Sequence, residues 1–137
     1  MIWTKDNFRL YDEKDIVDVD QTHALLRQTY WASNRPRKKV EKLISNSTCF
    51  SLFRGDELVA FVRVVSDFAA VSWVADMVVK DSYQGLGLGG WMMECVLSHP
   101  ELKHTQFALQ TKDAHTFYEK LGFEKRETLM STSVSYL

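Results

Sequence analysis

Residues 84–90 read QGLGLGG and hold four of the chain's six glycines. Glycine loses more backbone entropy on folding than any other residue, so a run this dense at the start of a helix needs a reason. The reason with chemical content is a ligand that approaches the backbone closely. VSWVADMVVK (71–80) precedes the run as a β-branched strand, and LGGWMMECVLSH (88–99) follows it as a helix. A strand, a loop of N–H groups and a helix N-terminus make an anion cradle, because amide donors and the positive end of the helix dipole converge there. Glycines at 87 and 89 would let a pyrophosphate touch the backbone without meeting a Cβ. Phosphate binding is the chemistry these residues imply.

Two spacings coexist in the run. Gly85, Gly87 and Gly90 satisfy G-x-G-x-x-G, the dinucleotide fingerprint, whereas Gln84, Gly87 and Gly89 satisfy Q-x-x-G-x-G. The dinucleotide reading requires its first glycine directly after a strand and an acid at the end of the next strand. Here KDSYQ separates Val79 from Gly85, and the next strand ends in Leu109-Gln110-Thr111 with no carboxylate. A P-loop is excluded because no Lys-Ser/Thr follows the glycines.

Other reactive side chains are few. Asp76 is a lone carboxylate inside the apolar segment WVADMVV. A buried strand seldom carries an acid without cause: either desolvation makes it more basic for catalysis, or a salt bridge or backbone hydrogen bond fixes it. The four histidines lack metal-ligand spacing, and no metal is expected. Cys49 and Cys95 lie in apolar surroundings with no histidine partner and read as small buried hydrophobes. Arg35, Arg37, Lys38 and Lys39 form a basic cluster best read as a solvated helix start, although cations there oppose the helix dipole.

The elements that must position these residues follow from periodicity and turn signals. NFRLYD (7–12) is a first strand. Asp20 caps a helix over 21–33, on which Leu25, Leu26, Tyr30 and Trp31 recur at helical spacing. Pro36 suits the first turn of a second helix, 37–46, with Val40, Leu43 and Ile44 facing inward. TCFSLFR (48–54) and LVAFVRVVS (58–66) form a hairpin around a tight turn, and 71–80 is a central strand. QFALQT (106–111) is a short buried strand. DAHTFYEKL (113–121) is a helix capped by Asp113 and ended by Gly122, and 122–129 and 132–137 are closing strands. The order β-α-α-β-β-β-α-β-α-β(-β) implies an α/β (α+β) fold, a mixed sheet covered by helices on both faces.

At 137 residues, with 45% hydrophobic and 26% charged residues, the chain reads as one soluble domain, 1–137. A net charge of −1 gives no footprint for nucleic acid or a membrane surface. The first residues lack the apolar core of a signal peptide, and a cytoplasmic location is expected.

VVKDSYQGLGLGGWMMECVL resembles the acetyl-CoA-binding segment of the GNAT superfamily of N-acetyltransferases, marked by Q/R-x-x-G-x-G/A after the fourth strand. DAHTFYEKLGF (113–123) is similar to the family's second signature. The two signatures stand in the family's order, and the order of elements matches its fold. The resemblance implies a pantetheine arm wedged between two splayed strands and bound by the backbone of Met77, Val78 and Val79. A backbone N–H there would polarise the thioester carbonyl. Gln84, Gly85, Leu86, Gly87, Leu88, Gly89 and Gly90 would hold the pyrophosphate. Thr111 stands where relatives often carry a pantetheine-binding asparagine.

The resemblance further implies that Tyr118 protonates the departing CoA thiolate, the alternative being a core aromatic. A phenol near ~10 giving its proton to a thiolate near ~8.5 moves it uphill unless the site lowers the phenol's pKa. An attacking amine must be neutral, and Asp76 is the candidate base, with a water chain as the alternative. Relatives' glutamate, a few residues earlier on this strand, is replaced here by Val71, Ser72 and Trp73. The acceptor implied is a primary amine of a small molecule, recognised by Tyr30, Trp31, Arg35 and Arg63. A non-catalytic CoA sensor and a protein or peptide amine are the other readings. Dimerisation is common among relatives, and TSVSYL (132–137) offers an edge for it.

Overall fold

The computed structural model describes residues 1–132. Strands β1 (Ile2–Lys5) and β2 (Phe8–Tyr11) lead into helices α1 (Val19–Leu26) and α2 (Arg37–Ser45). Strands β3 (Thr48–Arg54), β4 (Glu57–Ser66) and β5 (Val71–Val79), helix α3 (Leu88–Leu97), strand β6 (Gln106–Ala108) and helix α4 (His115–Glu119) follow. The strands form one six-stranded sheet in chain order. Every neighbouring pair is antiparallel except β5–β6, which is parallel. This is the mixed α/β fold that the sequence implies, preceded by an additional strand, β1.

Apolar residues divide between two cores. Phe50, Leu52, Val62 and Val64 pack with Met92, Met93 and Val96 of α3 and with Tyr118 of α4. Cys49, Leu58 and Phe61 pack with Leu25 and Leu26 of α1 and with Val40 and Ile44 of α2. Helices therefore cover both faces. β4, buried continuously from Leu58 to Val64, is the central strand rather than β5. β5 lies one strand from the edge, and its burial alternates along its length. Half-buried positions along β5 are consequently within reach of a ligand.

Several boundaries differ from those the sequence suggests. The carboxylate of Asp18, not Asp20, caps α1, accepting from the Gln21 N–H at 3.0 Å. α1 stops at Leu26 instead of continuing to residue 33. Thr29 Oγ1 donates to the Leu26 carbonyl at 2.7 Å and accepts from the Ala32 N–H at 3.0 Å, which turns the chain out of the helix. Tyr30 and Trp31 thus stand on a loop. Pro36 is the N-cap of α2, and Arg37 beside it pairs with Asp20 and Glu41. Those two carboxylates offset the unfavourable placement of cations at a helix start.

The C-terminal part departs furthest. β6 is three residues long, α4 begins at His115, and residues 122–129 form no strand. Thr111, not Asp113, secures the start of α4, its Oγ1 accepting from the Ala114 N–H at 3.1 Å. Gly122, at φ 97°, turns the chain beyond α4. Of the closing strand expected over 132–137, residues 133–137 lie outside the described residues.

Candidate active site

β5 and β6 pair only through Val71–Trp73 and Gln106–Ala108. Beyond Trp73, β5 runs on to Val79 without this neighbour. The gap opens into a cleft of about 1110 Å³, with β5, the glycine loop, α4 and the loop after α1 on its walls. Met77, Val78 and Val79 lie along it, as do Gln84, Gly85, Gly87, Leu88, Gly89 and Gly90. Thr111, Tyr118, Tyr30, Trp31, Arg63 and Asp76 also line it. Two residues expected at the site do not. Leu86 is 60% exposed outside the cleft, and Arg35 is buried behind its wall.

The middle of β5 is irregular. Phe61 pairs with Val78 and Arg63 with Ala75, so Val62 alone faces both Asp76 and Met77. This is a β-bulge, with Asp76 in the left-handed region at φ 54°. Aspartate tolerates that region better than most residues. A bulge interrupts the hydrogen-bond ladder and re-aims the backbone, here on the cleft wall.

The Asp76 side chain is 3% exposed and fully engaged. Oδ1 accepts from Trp31 Nε1 at 2.9 Å, and Oδ2 accepts from Arg35 Nη1 at 2.8 Å and Arg63 Nε at 2.5 Å. Arg63 Nη1 also donates to Ser47 Oγ at 3.2 Å. Of the two origins the sequence leaves open for this acid, the fixed ion pair is the one present. To take a proton from an amine, Asp76 would have to give up contacts to two guanidiniums. Breaking a buried pair costs about 3–5 kcal/mol. The arrangement argues against Asp76 as a base and for Asp76 as the clasp that holds the bulge, β4 and the 27–36 loop together.

The glycine loop is held from below. The Lys80 N–H donates to the Val59 carbonyl at 2.8 Å, and Glu57 accepts from Lys80 Nζ and Tyr83 Oη, both at 2.7 Å. Gln84 Nε2 donates to the Val79 carbonyl at 3.1 Å, which anchors the start of the run. Gly85 and Gly87 have φ of 80° and 77°, and Gly87 is the N-cap of α3. Among the described residues no side chain caps α3, so its first N–H groups have no such acceptor there. Gly89 has a different origin from the one expected. A Cβ there would meet Met77 Cε at 2.8 Å and Val79 Cγ2 at 3.4 Å. Its smallness lets α3 approach β5; it does not clear room for pyrophosphate.

Tyr118 is buried on α4, with Phe117 and Phe123 edge-on at ring-centroid distances of 4.9 and 5.6 Å. Burial, with Tyr30 adding to it, pushes its phenol up to about 12. The site therefore does not lower this pKa, the opposite of what easy proton donation needs. The thiol of Cys49 is also pushed up to about 12 by burial, which leaves it inert. Among the described residues no group of three His, Cys, Asp or Glu is placed to hold a metal ion. No helix among them is long and apolar enough to cross a membrane.

This geometry has relatives. Residues 45–125 match the family model described as acetyltransferase (GNAT) domain. The chain belongs to the GNAT acetyltransferase family. The crystal structure of an inferred GNAT acetyltransferase from Xanthomonas campestris pv. campestris is 32% identical, with a TM-score of 0.88 over 95% of each chain. An inferred acetyltransferase of Gibberella zeae is 24% identical over 146 residues, 89% of this chain and 82% of that protein. A GNAT acetyltransferase from Elizabethkingia anophelis, solved with acetyl-CoA bound, shares the fold at a TM-score of 0.64 and 13% identity.

Within this GNAT chain the two signature segments meet across the cleft, the glycine loop on one side and Tyr118 on the other. The bulge at Asp76 and the ionic clasp around it were missed by sequence reasoning. Asp76, Arg63 and Arg35 are visible as charges in apolar segments, but nothing local pairs them. Val65 and Trp73, which face each other across β4 and β5 on the cleft, were missed as well. Their signal is the alternation of β4 beyond Arg63, where an exposed valine follows a buried run.

Proposed function

We propose that this chain transfers the acetyl group of acetyl-CoA to a primary amine of a small molecule in the cytoplasm, by direct attack within a ternary complex. The pyrophosphate sits on the uncapped N-terminus of α3, where backbone donors and the helix dipole favour an anion. Pantetheine lies between β5 and β6 against the backbone of Met77, Val78 and Val79, with Thr111 on its other side. An N–H freed by the bulge polarises the thioester carbonyl and stabilises the oxyanion as the amine nitrogen adds. The carbon–nitrogen bond forms, the carbon–sulfur bond breaks, the Tyr118 hydroxyl donates to the leaving sulfur, and the amine's surplus proton leaves to water. Asp76, committed to its arginines, does not accept it.

The observation that carries this reading is the presence, in one cleft, of an uncapped helix start behind left-handed glycines, a bulged strand and a buried phenol. An acetyl-CoA complex on the same fold in a distant GNAT structure supports the choice of donor. The test is thiol release from acetyl-CoA against a panel of primary amines. Turnover with any of them is the expected result. Acetyl-CoA binding without thiol release across the panel would leave a non-catalytic CoA binder instead. With water as the proton acceptor, kcat/KM rises along the acceptor's own titration, toward ~10 for an alkylamine. Asp76→Asn keeps that profile. An inflection present in the wild type and lost in Asp76→Asn would restore Asp76 as the base.

A further inference from the structure

We infer that the acceptor amine carries a long apolar chain, and that Ala75, Val65, Trp73 and Val71 form the strip of sheet on which this chain lies. The inference rests on the acetyl-transfer reading and narrows its acceptor.

Side chains alternate along a strand, and antiparallel partners share a face. Arg63 pairs with Ala75 and Val65 with Trp73, so these four share one face, with Val71 two residues before Trp73 on the same side of β5. Helices α1 and α2 cover that face as far as Phe61 on β4 and Val78 on β5. The Arg63–Asp76 ion pair comes next and closes off the covered core. Beyond it the surface stays apolar but loses its cover. Val65 is 44% exposed directly after a run buried from Leu58 to Val64, and Val71 is 47% exposed. Among the described residues, neither they nor Trp73 join either core.

The position of the strip says what covers it. Ala75, Val65 and Trp73 line the cleft, next to the bulge whose N–H polarises the thioester in the acetyl-transfer reading. From an amine that attacks there, the strip leads away toward Val71. The Trp73 indole nitrogen is the one polar side-chain atom of its four residues. At the far end the Asp67 carboxylate accepts from the Ala70, Ala69 and Val71 N–H groups, which hold it down at about 2. That carboxylate is committed to its turn, and apolar contact is what the strip offers. Contiguous exposed apolar surface running out of a cleft marks where a ligand binds. At about 3.3 Å per residue, Ala75 to Val71 spans roughly 13 Å, the reach of an extended decyl chain.

Thiol release from acetyl-CoA with butylamine, hexylamine, octylamine and decylamine reads the strip as a ruler. kcat/KM should rise about twofold or more per methylene, half the free energy of full burial. The α,ω-diamine of decane, equally long but charged at both ends, should be at least about tenfold poorer than decylamine. Val71→Asn should remove the gain beyond hexylamine, and Val65→Asn should lower the whole series. Both side chains are nearly half exposed, so neither change threatens the fold. A flat series, a diamine as good as decylamine, or a gain beyond hexylamine that survives both variants overturns the inference. So does a concentration-dependent dimer in sedimentation that Val71→Asn dissolves, which would give the strip to a second copy. Flat turnover of all the amines leaves acetyl transfer standing and the strip refuted. Calorimetry on the CoA-saturated protein, which cannot turn over, covers the reverse case. Affinity that rises with chain length, without thiol release, keeps the strip and refutes acetyl transfer. No binding by any of the amines overturns the inference.

Discussion

Tyr118 illustrates how burial shapes what a side chain can do. With its phenol near 12, full transfer to a thiolate near ~8.5 runs uphill by roughly 5 kcal/mol, although the same dry cleft also raises the thiolate. A phenol held protonated is better suited to donating a hydrogen bond to sulfur as charge builds than to completing the transfer early. Tyr118→Phe should therefore lower kcat about 10- to 100-fold, the lower range for general acid catalysis, while leaving acetyl-CoA binding nearly unchanged. Normal turnover in this variant would remove Tyr118 from the chemistry. The same burial has a signature in stability. Between pH 10 and 12 an unfolded chain ionises this tyrosine and the native one does not, so stability falls with rising pH by up to about 2–3 kcal/mol. In denaturant titrations at those pH values Tyr118→Phe should show a shallower decline than the wild type.

Among the elements, those whose signals are local were legible in the sequence. β3 was read to its residue limits, and the β3–β4 hairpin followed from apolar runs around Gly55, which has φ 60°. The glycine loop and α3 followed in the same way. Elements shaped by distant partners were not legible. The spacing of Leu25, Leu26, Tyr30 and Trp31 continues a helix on paper. The real α1 ends at Leu26 because Thr29 turns the chain, and Trp31 and Arg35 then reach Asp76, more than forty residues away. The bulge in β5 exists only in its register against β4, which no single-strand pattern contains.

The glycine loop separates two effects that the sequence merges. Gly87→Ala forces a side chain into the left-handed region, which should cost about 1–2 kcal/mol and disturb the uncapped start of α3. Gly89→Ala crowds chiefly the flexible end of Met77, with Val79 Cγ2 at ordinary contact distance, and gains helix propensity, so its midpoint should stay within about 1 kcal/mol of the wild type. Its effect on acetyl-CoA should come through a displaced Met77. If thermal melts instead placed the large loss at position 89, the contact with Met77 would be a rigid one and the left-handed strain at Gly87 the smaller effect.

At the scale of the whole molecule, the sheet is secured unevenly. Its β1–β2 end is tied to the chain after α3 by His99, which meets Asp12 at 2.7 Å and packs against Trp3 and Phe50. The opposite end depends on three parallel pairs between β5 and β6 and on the five-residue α4, which carries Tyr118. Few ladder bonds mean that residues 106–119 should open locally at lower free energy than β3 and β4, and their amides should exchange faster. Acetyl-CoA bound between β5 and β6 would bridge this gap and bind only the closed form. At a hundredfold excess over Kd it should stabilise the native state by about 2.7 kcal/mol, a rise in Tm of a few degrees for a chain of this size. Hydrogen exchange should place the added protection on residues 84–90 and 106–119, leaving β1 and β2 unchanged. NAD should do neither, because the loop lies too far past its strand and the next strand ends without an acid. Stabilisation by NAD but not by CoA, or protection confined to the β1–β2 end, would reject the cleft as the donor site.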